Sequence, residues 1–201
     1  MSALTASMAR GEGLTLVALG DSLTAGYGLP AEVGLVPQLQ DWLRAQGAEV
    51  TVVNAGVSGD TTTGAQSRTD WTLTPEVDAV LLIIGGNDLL RGIDPAASRA
   101  AIDGILQKTA ARSLPVLLVP MQALPNYGPG YVTAFNAIYP ELSATYGTRL
   151  TRDYFDPLRQ QGGEMARFFQ ADGLHPNALG VQTIVEVLGP QVLELLSDAQ
   201  E

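Results

Sequence analysis

A serine, a histidine and an aspartate in this sequence are of the types that together carry out acyl transfer. Ser22 lies in residues 20–24, with the sequence GDSLT, directly after a run of apolar residues. A serine hydroxyl is a weak nucleophile until a general base removes its proton. The chain contains one histidine, His175, which shares the segment DGLHP with Asp172. We therefore predict that His175 is the base for Ser22, and that Asp172 orients the imidazole by accepting its Nδ1–H and stabilises the imidazolium.

Attack by a serine creates an oxyanion, which needs hydrogen-bond donors that are already in place. We predict that these donors are the backbone N–H groups of Ser22 and Gly59 and the side-chain amide of Asn87. Glycine suits this task because its backbone can approach a ligand closely. Gly56 lies in the same loop as Gly59, and the physics of the sequence alone does not choose between them.

Each of these residues also has a structural interpretation. A serine after a strand is often the N-cap of a helix, and His175 precedes a predicted helix that it could simply cap. Asn87 could merely hold a turn. Three neighbouring aspartates are expected to hold loops by hydrogen bonds rather than to catalyse: Asp21, Asp60 and Asp88.

Apolar residues flank the predicted site and indicate a groove for an acyl or aryl group. Small-molecule sites are mostly apolar and have few polar anchors. A sugar site would be expected to have a more polar lining rich in tryptophan, whereas Trp42 and Trp71 fall within predicted helices. The predicted substrate-binding residues are Leu23, Leu89, Leu90, Leu124, Tyr127 and Leu174.

Strand-like runs alternate with helical patterns along the chain. The predicted strands are residues 14–19, 50–54, 79–84, 116–119 and 149–155. The predicted helices are residues 36–46, a weak helix through 66–71, one that begins at 94–95, then 131–146 and 178–196. This alternation predicts an α/β fold, a three-layer α/β/α sandwich with a mainly parallel five-stranded sheet.

The predicted sheet explains how distant motifs could meet. In a parallel sheet the carboxyl ends of the strands lie at one edge, where open α/β sheets bind their ligands. The loops that carry Ser22, Gly59 and Asn87 each follow a predicted strand, so they should lie at that edge. The loop that carries His175 must reach the same edge if this histidine is to serve Ser22.

Length and composition limit the classes of protein to consider. With 201 residues, 46% hydrophobic and 16% charged, the chain should form one globular domain over residues 14–198, with residues 1–13 as a flexible tail. A net charge of −10 makes nucleic-acid binding unlikely. The absence of cysteine excludes disulfides, thiolate metal sites and a cysteine nucleophile. One histidine with scattered carboxylates does not indicate a metal site, and we expect no cofactor.

We expect no apolar stretch to approach the roughly 20 residues that span a bilayer. Residues 1–13 lack the apolar region of a signal peptide. We therefore expect a soluble protein with no transmembrane segment. The sequence leaves open the oligomeric state and whether the compartment is the cytoplasm or an exported location, periplasmic or secreted, reached by a precursor whose signal peptide is not included.

The motifs, in their order along the chain, resemble the four blocks of the GDSL or SGNH hydrolases. The matching segments are GDSL at 20–23, Gly59, GND at 86–88 and DGLHP at 172–176. Flanking segments are similar to the bacterial thioesterase I, lysophospholipase and arylesterase group. The resemblance implies a flavodoxin-like sheet and metal-free hydrolysis of esters or thioesters, and it favours Gly59 over Gly56. It assigns the roles given above to Ser22, Gly59, Asn87, Asp172 and His175.

These observations predict a serine esterase that acts through an acyl-enzyme on Ser22. The expected substrates are small molecules: aryl esters, short- to medium-chain acyl esters, acyl thioesters or lysophospholipids. One alternative is a carbohydrate O-acetylesterase, because the same residues support that reaction. The other is a non-catalytic acyl- or lipid-binding module on the same fold, although such a module has no need of Ser22, Asp172 and His175 together.

Overall fold

The computed structural model describes residues 13–200. Residues 1–12 and 201 lie outside the described residues, so the predicted flexible tail falls outside them except for Gly13. The buried apolar side chains on both faces of the sheet form a continuous core. The division of the chain into a tail and a single domain stays a prediction.

A parallel sheet forms the centre of the described structure, as the strand pattern predicted. Its strands are β1 (Leu14–Gly20), β2 (Val50–Gly56), β3 (Ala79–Ile83), β4 (Val116–Val119) and β5 (Arg149–Leu150). Their order in the sheet is β2-β1-β3-β4-β5, and each neighbouring pair is parallel. The strand order reverses between β1 and β3, and open α/β sheets bind ligands at such a switch point.

Helices cover both faces of the sheet. They are α1 (Ser22–Ala25), α2 (Leu35–Ala45), α3 (Thr62–Thr72), α4 (Gly86–Leu90), α5 (Pro95–Ala110), α6 (Pro129–Tyr146), α7 (Asp156–Gln160) and α8 (Ala178–Asp198). Helices α2 and α8 pack together on one face, and α5 packs between α3 and α6 on the other. The predicted three-layer α/β/α sandwich is therefore confirmed.

The burial of the strands follows from their composition. All residues of β3 and β4 are buried, as expected for apolar strands covered on both faces. The edge strand β2 instead alternates, with Val50 and Val52 buried and Thr51 and Val53 exposed. Helix α5 begins as predicted, because the Asp94 side chain caps it by accepting a hydrogen bond from Ala96 N–H at 2.9 Å.

The prediction of a strand over residues 149–155 was wrong for most of its length. Only Arg149 and Leu150 pair with β4. The Asp153 carboxylate then accepts a hydrogen bond from Phe155 N–H at 3.1 Å, which bends the chain away from the strand direction. Aspartate favours such local turns over strands. The bend directs residues 153–155 towards the carboxyl edge of the sheet.

Helix α8 is longer and more apolar than we expected of any segment. By length and composition it could cross a membrane, with a mean hydropathy of 1.3, but 56% of its most apolar stretch is buried within this fold. The Cα of Gly189 packs against the ring of Trp42 in α2, so closely that a Cβ would lie 2.4 Å from Trp42 Cε3. We therefore describe α8 as a core helix of the sandwich.

Candidate active site

Ser22 is held at the end of β1 by a tight turn. A Cβ on Gly20 would lie 2.2 Å from Thr24 Oγ1 and 2.3 Å from Ile83 O, so this position requires glycine. The N-cap of α1 is Asp21, whose Oδ1 accepts a hydrogen bond from Leu23 N–H at 3.0 Å. The Ser22 side chain is therefore not used as a cap.

The loop before α8 brings the single histidine to this turn. His175 Nε2 lies 2.9 Å from Ser22 Oγ, and His175 Nδ1 lies 2.7 Å from Asp172 Oδ2. The N-cap of α8 is Asn177, whose side chain accepts a hydrogen bond from Gly180 N–H at 3.0 Å. Neither Ser22 nor His175 is a helix cap, which removes the simpler interpretation of both residues.

Asp172 uses both carboxylate oxygens. Its Oδ1 accepts hydrogen bonds from the backbone N–H groups of Leu174, at 2.9 Å, and His175, at 3.0 Å, while Oδ2 faces the imidazole. The backbone N–H groups of His175 and Leu174, followed by the imidazole, lower the pKa of Asp172 to about 2. A charged carboxylate can only accept a hydrogen bond, so we assign the imidazole proton to Nδ1 and leave Nε2 to accept from Ser22.

The sequence analysis did not identify Gln170, which fixes the His175 loop to the turn after α1. Gln170 N–H donates to His175 O at 2.8 Å, and its side-chain amide donates to Tyr27 O at 2.8 Å and Pro176 O at 3.0 Å. The Tyr27 ring centroid lies 4.7 Å from that of the imidazole. These contacts hold the His175 loop at the carboxyl edge of the sheet, which it must reach if His175 is to serve Ser22.

Asn87 lies on α4, directly after β3. The helix begins beyond Gly85, where φ is 117° and a Cβ would lie 2.2 Å from Tyr139 Oη. The Asn87 side chain hydrogen-bonds to the carboxylate of Asp21, which is only 1% exposed. Burial raises the pKa of Asp21 to about 6, although Leu23 N–H, the charge of His175 and the Asn87 amide act in the opposite direction.

Gly59 lies in the loop between β2 and α3. Its φ is 85°, and Arg91 Nη2 donates a hydrogen bond to its carbonyl oxygen at 2.8 Å. Gly56 has a different environment, because a Cβ there would lie 2.3 Å from Ala25 N. Gly56 is therefore required for the packing of α1 against β2.

The aspartates that we expected to be structural make such contacts. Asp60 Oδ2 accepts from Arg68 Nε at 2.7 Å, and the same guanidinium donates to Gly20 O at 2.9 Å and Ala55 O at 2.8 Å. Arg68 thereby ties together the carboxyl ends of β1 and β2. The buried carboxylate of Asp88 accepts hydrogen bonds from Thr62 and Ser98.

A cavity of about 210 Å³ lies beside Ser22, Asn87 and His175. It is lined by the six residues that we predicted to bind substrate: Leu23, Leu89, Leu90, Leu124, Tyr127 and Leu174. Gly59 does not line this cavity. The Tyr127 hydroxyl donates to Leu89 O at 2.7 Å, which connects two of the lining segments.

Five further lining residues lie outside the sequence motifs and were not predicted: Met121, Gln122, Asp153, Phe155 and Arg159. Met121 and Gln122 follow β4. They could have been predicted, because open α/β sheets bind ligands at the carboxyl ends of their strands, the same reason that placed Ser22 in the site. Asp153 and Phe155 were not predicted to line the cavity, because both were assigned to the incorrect strand over residues 149–155. Arg159 lies on α7 and pairs with Asp153, and no sequence signal indicated it.

A second, larger cavity of about 360 Å³ lies between the end of β4, α7 and α8. Its lining includes Asp153 and Tyr154 but neither Ser22 nor His175, so it is not where the serine chemistry would occur. Among residues 13–200, no group of three or more histidine, cysteine, aspartate or glutamate side chains is placed to hold a metal ion.

Comparison with known proteins identifies relatives of this chain. Residues 18–183 match the GDSL-like Lipase/Acylhydrolase family. The chain is 37% identical to Esterase TesA of Pseudomonas aeruginosa over 90% of this chain and 89% of that protein. It is 33% identical to thioesterase 1/protease 1/lysophospholipase L1 of Escherichia coli, over 91% of this chain and 85% of that protein.

A crystal structure has a similar fold. The psychrotrophic esterase EstA from Pseudoalteromonas sp., inhibited by monoethylphosphonate, superposes with a TM-score of 0.82 and 30% identity, over 91% of this chain and 98% of that one. The motifs, the sheet order and these matches agree. The chain belongs to the GDSL-like lipase/acylhydrolase family, the SGNH hydrolases.

Proposed function

We propose that this protein hydrolyses carboxylic esters through an acyl-enzyme on Ser22. The observation that carries the proposal is the hydrogen-bonded series from Ser22 Oγ to His175 Nε2, 2.9 Å, and from His175 Nδ1 to Asp172 Oδ2, 2.7 Å. A hydroxyl, an imidazole and a carboxylate in this order activate a serine for acyl transfer. Membership of an acylhydrolase family supports the same reaction.

In the first half of the reaction, Ser22 Oγ attacks the ester carbonyl carbon while His175 Nε2 accepts the hydroxyl proton. Asp172 remains ionised because its pKa is about 2, so it stabilises the imidazolium that forms. The tetrahedral intermediate then collapses. The bond from carbon to the leaving oxygen breaks, the imidazolium returns its proton to that oxygen, and an acyl ester remains on Ser22.

The second half repeats these steps with water. His175 accepts a proton from a water molecule as its oxygen attacks the acyl carbon. Collapse of the second tetrahedral intermediate breaks the bond to Ser22 Oγ, which takes the proton back from His175. The products are a carboxylic acid and the free enzyme.

Three donors are proposed to stabilise the negative oxygen in both intermediates: Ser22 N–H, Gly59 N–H and the Asn87 amide. Ser22 is the first residue of α1, so its N–H has no acceptor within the helix. Asn87 lines the same cavity as Ser22, and its hydrogen bond to the Asp21 carboxylate orients the amide. Gly59 is included because it matches the family motif and because its positive φ is a conformation that glycine adopts readily.

The cavity favours apolar acyl or aryl groups, because leucine, methionine and aromatic side chains dominate its lining. We propose aryl esters and short- to medium-chain acyl esters as substrates, together with acyl thioesters and lysophospholipids. Relatives described as an esterase and as a thioesterase and lysophospholipase support this range.

Hydrolysis of p-nitrophenyl acetate, butyrate and octanoate by the wild type, Ser22→Ala and His175→Ala tests the proposal. Both variants should lose several orders of magnitude in kcat, since Ser22→Ala removes the nucleophile and His175→Ala removes the base that activates it. Full activity of Ser22→Ala would refute the acyl-enzyme. A preference for acetylated sugars would favour an O-acetylesterase, and binding of acyl ligands without turnover would favour a binding module.

A further inference from the structure

The segment that carries Asn87 also holds the loop that carries Gly59. From these contacts we infer that Arg91 is a positioning residue, which fixes the orientation of Gly59 as an oxyanion donor. The inference rests on the proposed function, because it concerns the donors assigned there. It adds a residue that does not line the cavity beside Ser22 and His175.

Gly59 is the third residue of a tight turn. Asp60 N–H donates to Val57 O at 3.0 Å and closes the turn, and Gly59 has a φ of 85° while Ser58 is not in the positive range. These features define a type II turn. The central peptide of this turn joins Ser58 to Gly59 and carries the Gly59 N–H. In a type I turn the same peptide is rotated by roughly 150–170° from its orientation in a type II turn. The direction of the proposed donor therefore depends on the conformation of this turn.

Arg91 holds the peptide that follows Gly59. Its Nη2 donates to Gly59 O at 2.8 Å, while the N–H of the same peptide, from Asp60, is bound by Val57 O. Both polar groups of this peptide are therefore engaged. If Gly59 carried a Cβ, the one non-neighbouring heavy atom found within 4 Å would be Arg91 Nη2, at 3.7 Å. The Arg91 guanidinium therefore lies against Gly59 itself as well as against its carbonyl oxygen.

The position of Arg91 links it directly to Asn87. Arg91 directly follows α4, and its N–H donates to Asn87 O at 3.1 Å. One helical turn of backbone therefore connects Asn87, a proposed donor, to the side chain of Arg91. That side chain hydrogen-bonds to Gly59, which is another proposed donor. Since the two donors follow different strands, this connection sets the distance between them.

A separate contact holds the loop as a whole. The carboxylate of Asp88 is fully buried and accepts hydrogen bonds from Thr62 N–H at 2.9 Å, Thr62 Oγ1 at 2.6 Å and Ser98 Oγ at 2.8 Å. Thr62 begins α3, three residues after Gly59. Removal of the Arg91 guanidinium should therefore leave the loop folded through Asp88 and release only the Gly59 turn.

Arg91 and Gly59 are both exposed, so their hydrogen bond contributes little to stability. Its effect on the reaction is expected to be larger, because small errors in the position of a catalytic group cost about 100-fold in rate. For Arg91→Gln we expect kcat to fall about 10- to 100-fold, with little change in KM, since the donors act on the transition state. Arg91→Lys should recover part of this loss.

The matched control is Arg112→Gln. The Arg112 guanidinium also donates to backbone carbonyls, namely Leu73 O and Thr74 O, the latter at 2.6 Å. These residues are distant in sequence from the site motifs. We would measure kcat, KM, the pH profile and urea unfolding for all variants with p-nitrophenyl butyrate. Arg112→Gln should keep the wild-type kcat. Arg91→Gln should keep the acidic limb of the wild-type profile, because His175 is untouched.

The outcomes separate the inference from the proposed function. A wild-type kcat in Arg91→Gln would overturn the positioning role. So would an equal loss of kcat in Arg112→Gln, or a loss in Arg91→Gln that is accompanied by a large drop in stability. An inactive wild-type protein would instead overturn the proposed function itself.

Discussion

Replacement of Asp21 by asparagine should stabilise the protein at neutral pH. The carboxyl group is 1% exposed, and burial raises its pKa from 3.8 to about 6. The folded state therefore binds the proton more tightly than the unfolded state does. The ionised carboxylate subtracts about 3 kcal/mol from the free energy of unfolding above pH 6, a penalty that shrinks as the pH falls through 6 and disappears below 3.8.

Asparagine has the same shape and keeps an oxygen to accept the Leu23 N–H, but it does not ionise. We expect Asp21→Asn to gain up to about 3 kcal/mol at about pH 8, or roughly 6–12 °C in Tm, and almost nothing at about pH 4. The same variant should lose kcat, because the Asn87 amide no longer has a charged acceptor to orient it.

Urea unfolding, followed by tryptophan fluorescence across this pH range, measures the effect. Asp94→Asn is the matched control, since Asp94 also caps a helix through its carboxylate but is exposed. It should show no comparable gain that depends on pH. If Asp21→Asn were less stable than the wild type by the same amount at every pH, the reasoning from burial would be refuted.

Three further substitutions test other parts of the account. Asp172→Asn should fold normally but lower kcat by about 10⁴-fold in an ester assay, because the His175 tautomer is no longer fixed. Gly59→Ala should lower kcat about 100- to 1000-fold and cost about 1–2 kcal/mol in stability, because alanine disfavours the positive φ and the turn would change type, although its Cβ meets no atom closer than 3.7 Å. Gly189→Ala should lose about 1–3 kcal/mol in urea unfolding with its kcat intact, because the new Cβ overlaps the Trp42 ring.

The parts of the fold that could be predicted are those with strong local patterns. The apolar runs of β3 and β4 are typical of strands that are covered on both faces of a sheet. The Asp-Pro pair at 94–95 marks the start of α5 because capping depends on adjacent residues. The motif residues Ser22 and His175 were found because the chain has one histidine and because strands present their carboxyl ends at one edge.

The parts that could not be predicted depend on contacts between distant segments. The Gln170 side chain donates a hydrogen bond to Tyr27 O, 143 positions earlier in the chain. Nothing in the sequence around Gln170 indicates this contact. Arg91 is an exposed arginine in a loop, a common feature with no periodicity to interpret. The strand over residues 149–155 was predicted as the fifth in the alternation although it is the least apolar of the five, and Asp153 favours a turn there.

The central claim is that Ser22 is the nucleophile, and covalent labelling tests it most directly. A p-nitrophenyl alkylphosphonate should phosphonylate the serine oxygen and release p-nitrophenol, and mass spectrometry of peptides should locate the adduct. We predict one adduct per chain on Ser22, slower labelling of His175→Ala, and none of Ser22→Ala. An adduct on another residue, or equal labelling of Ser22→Ala, would contradict the account.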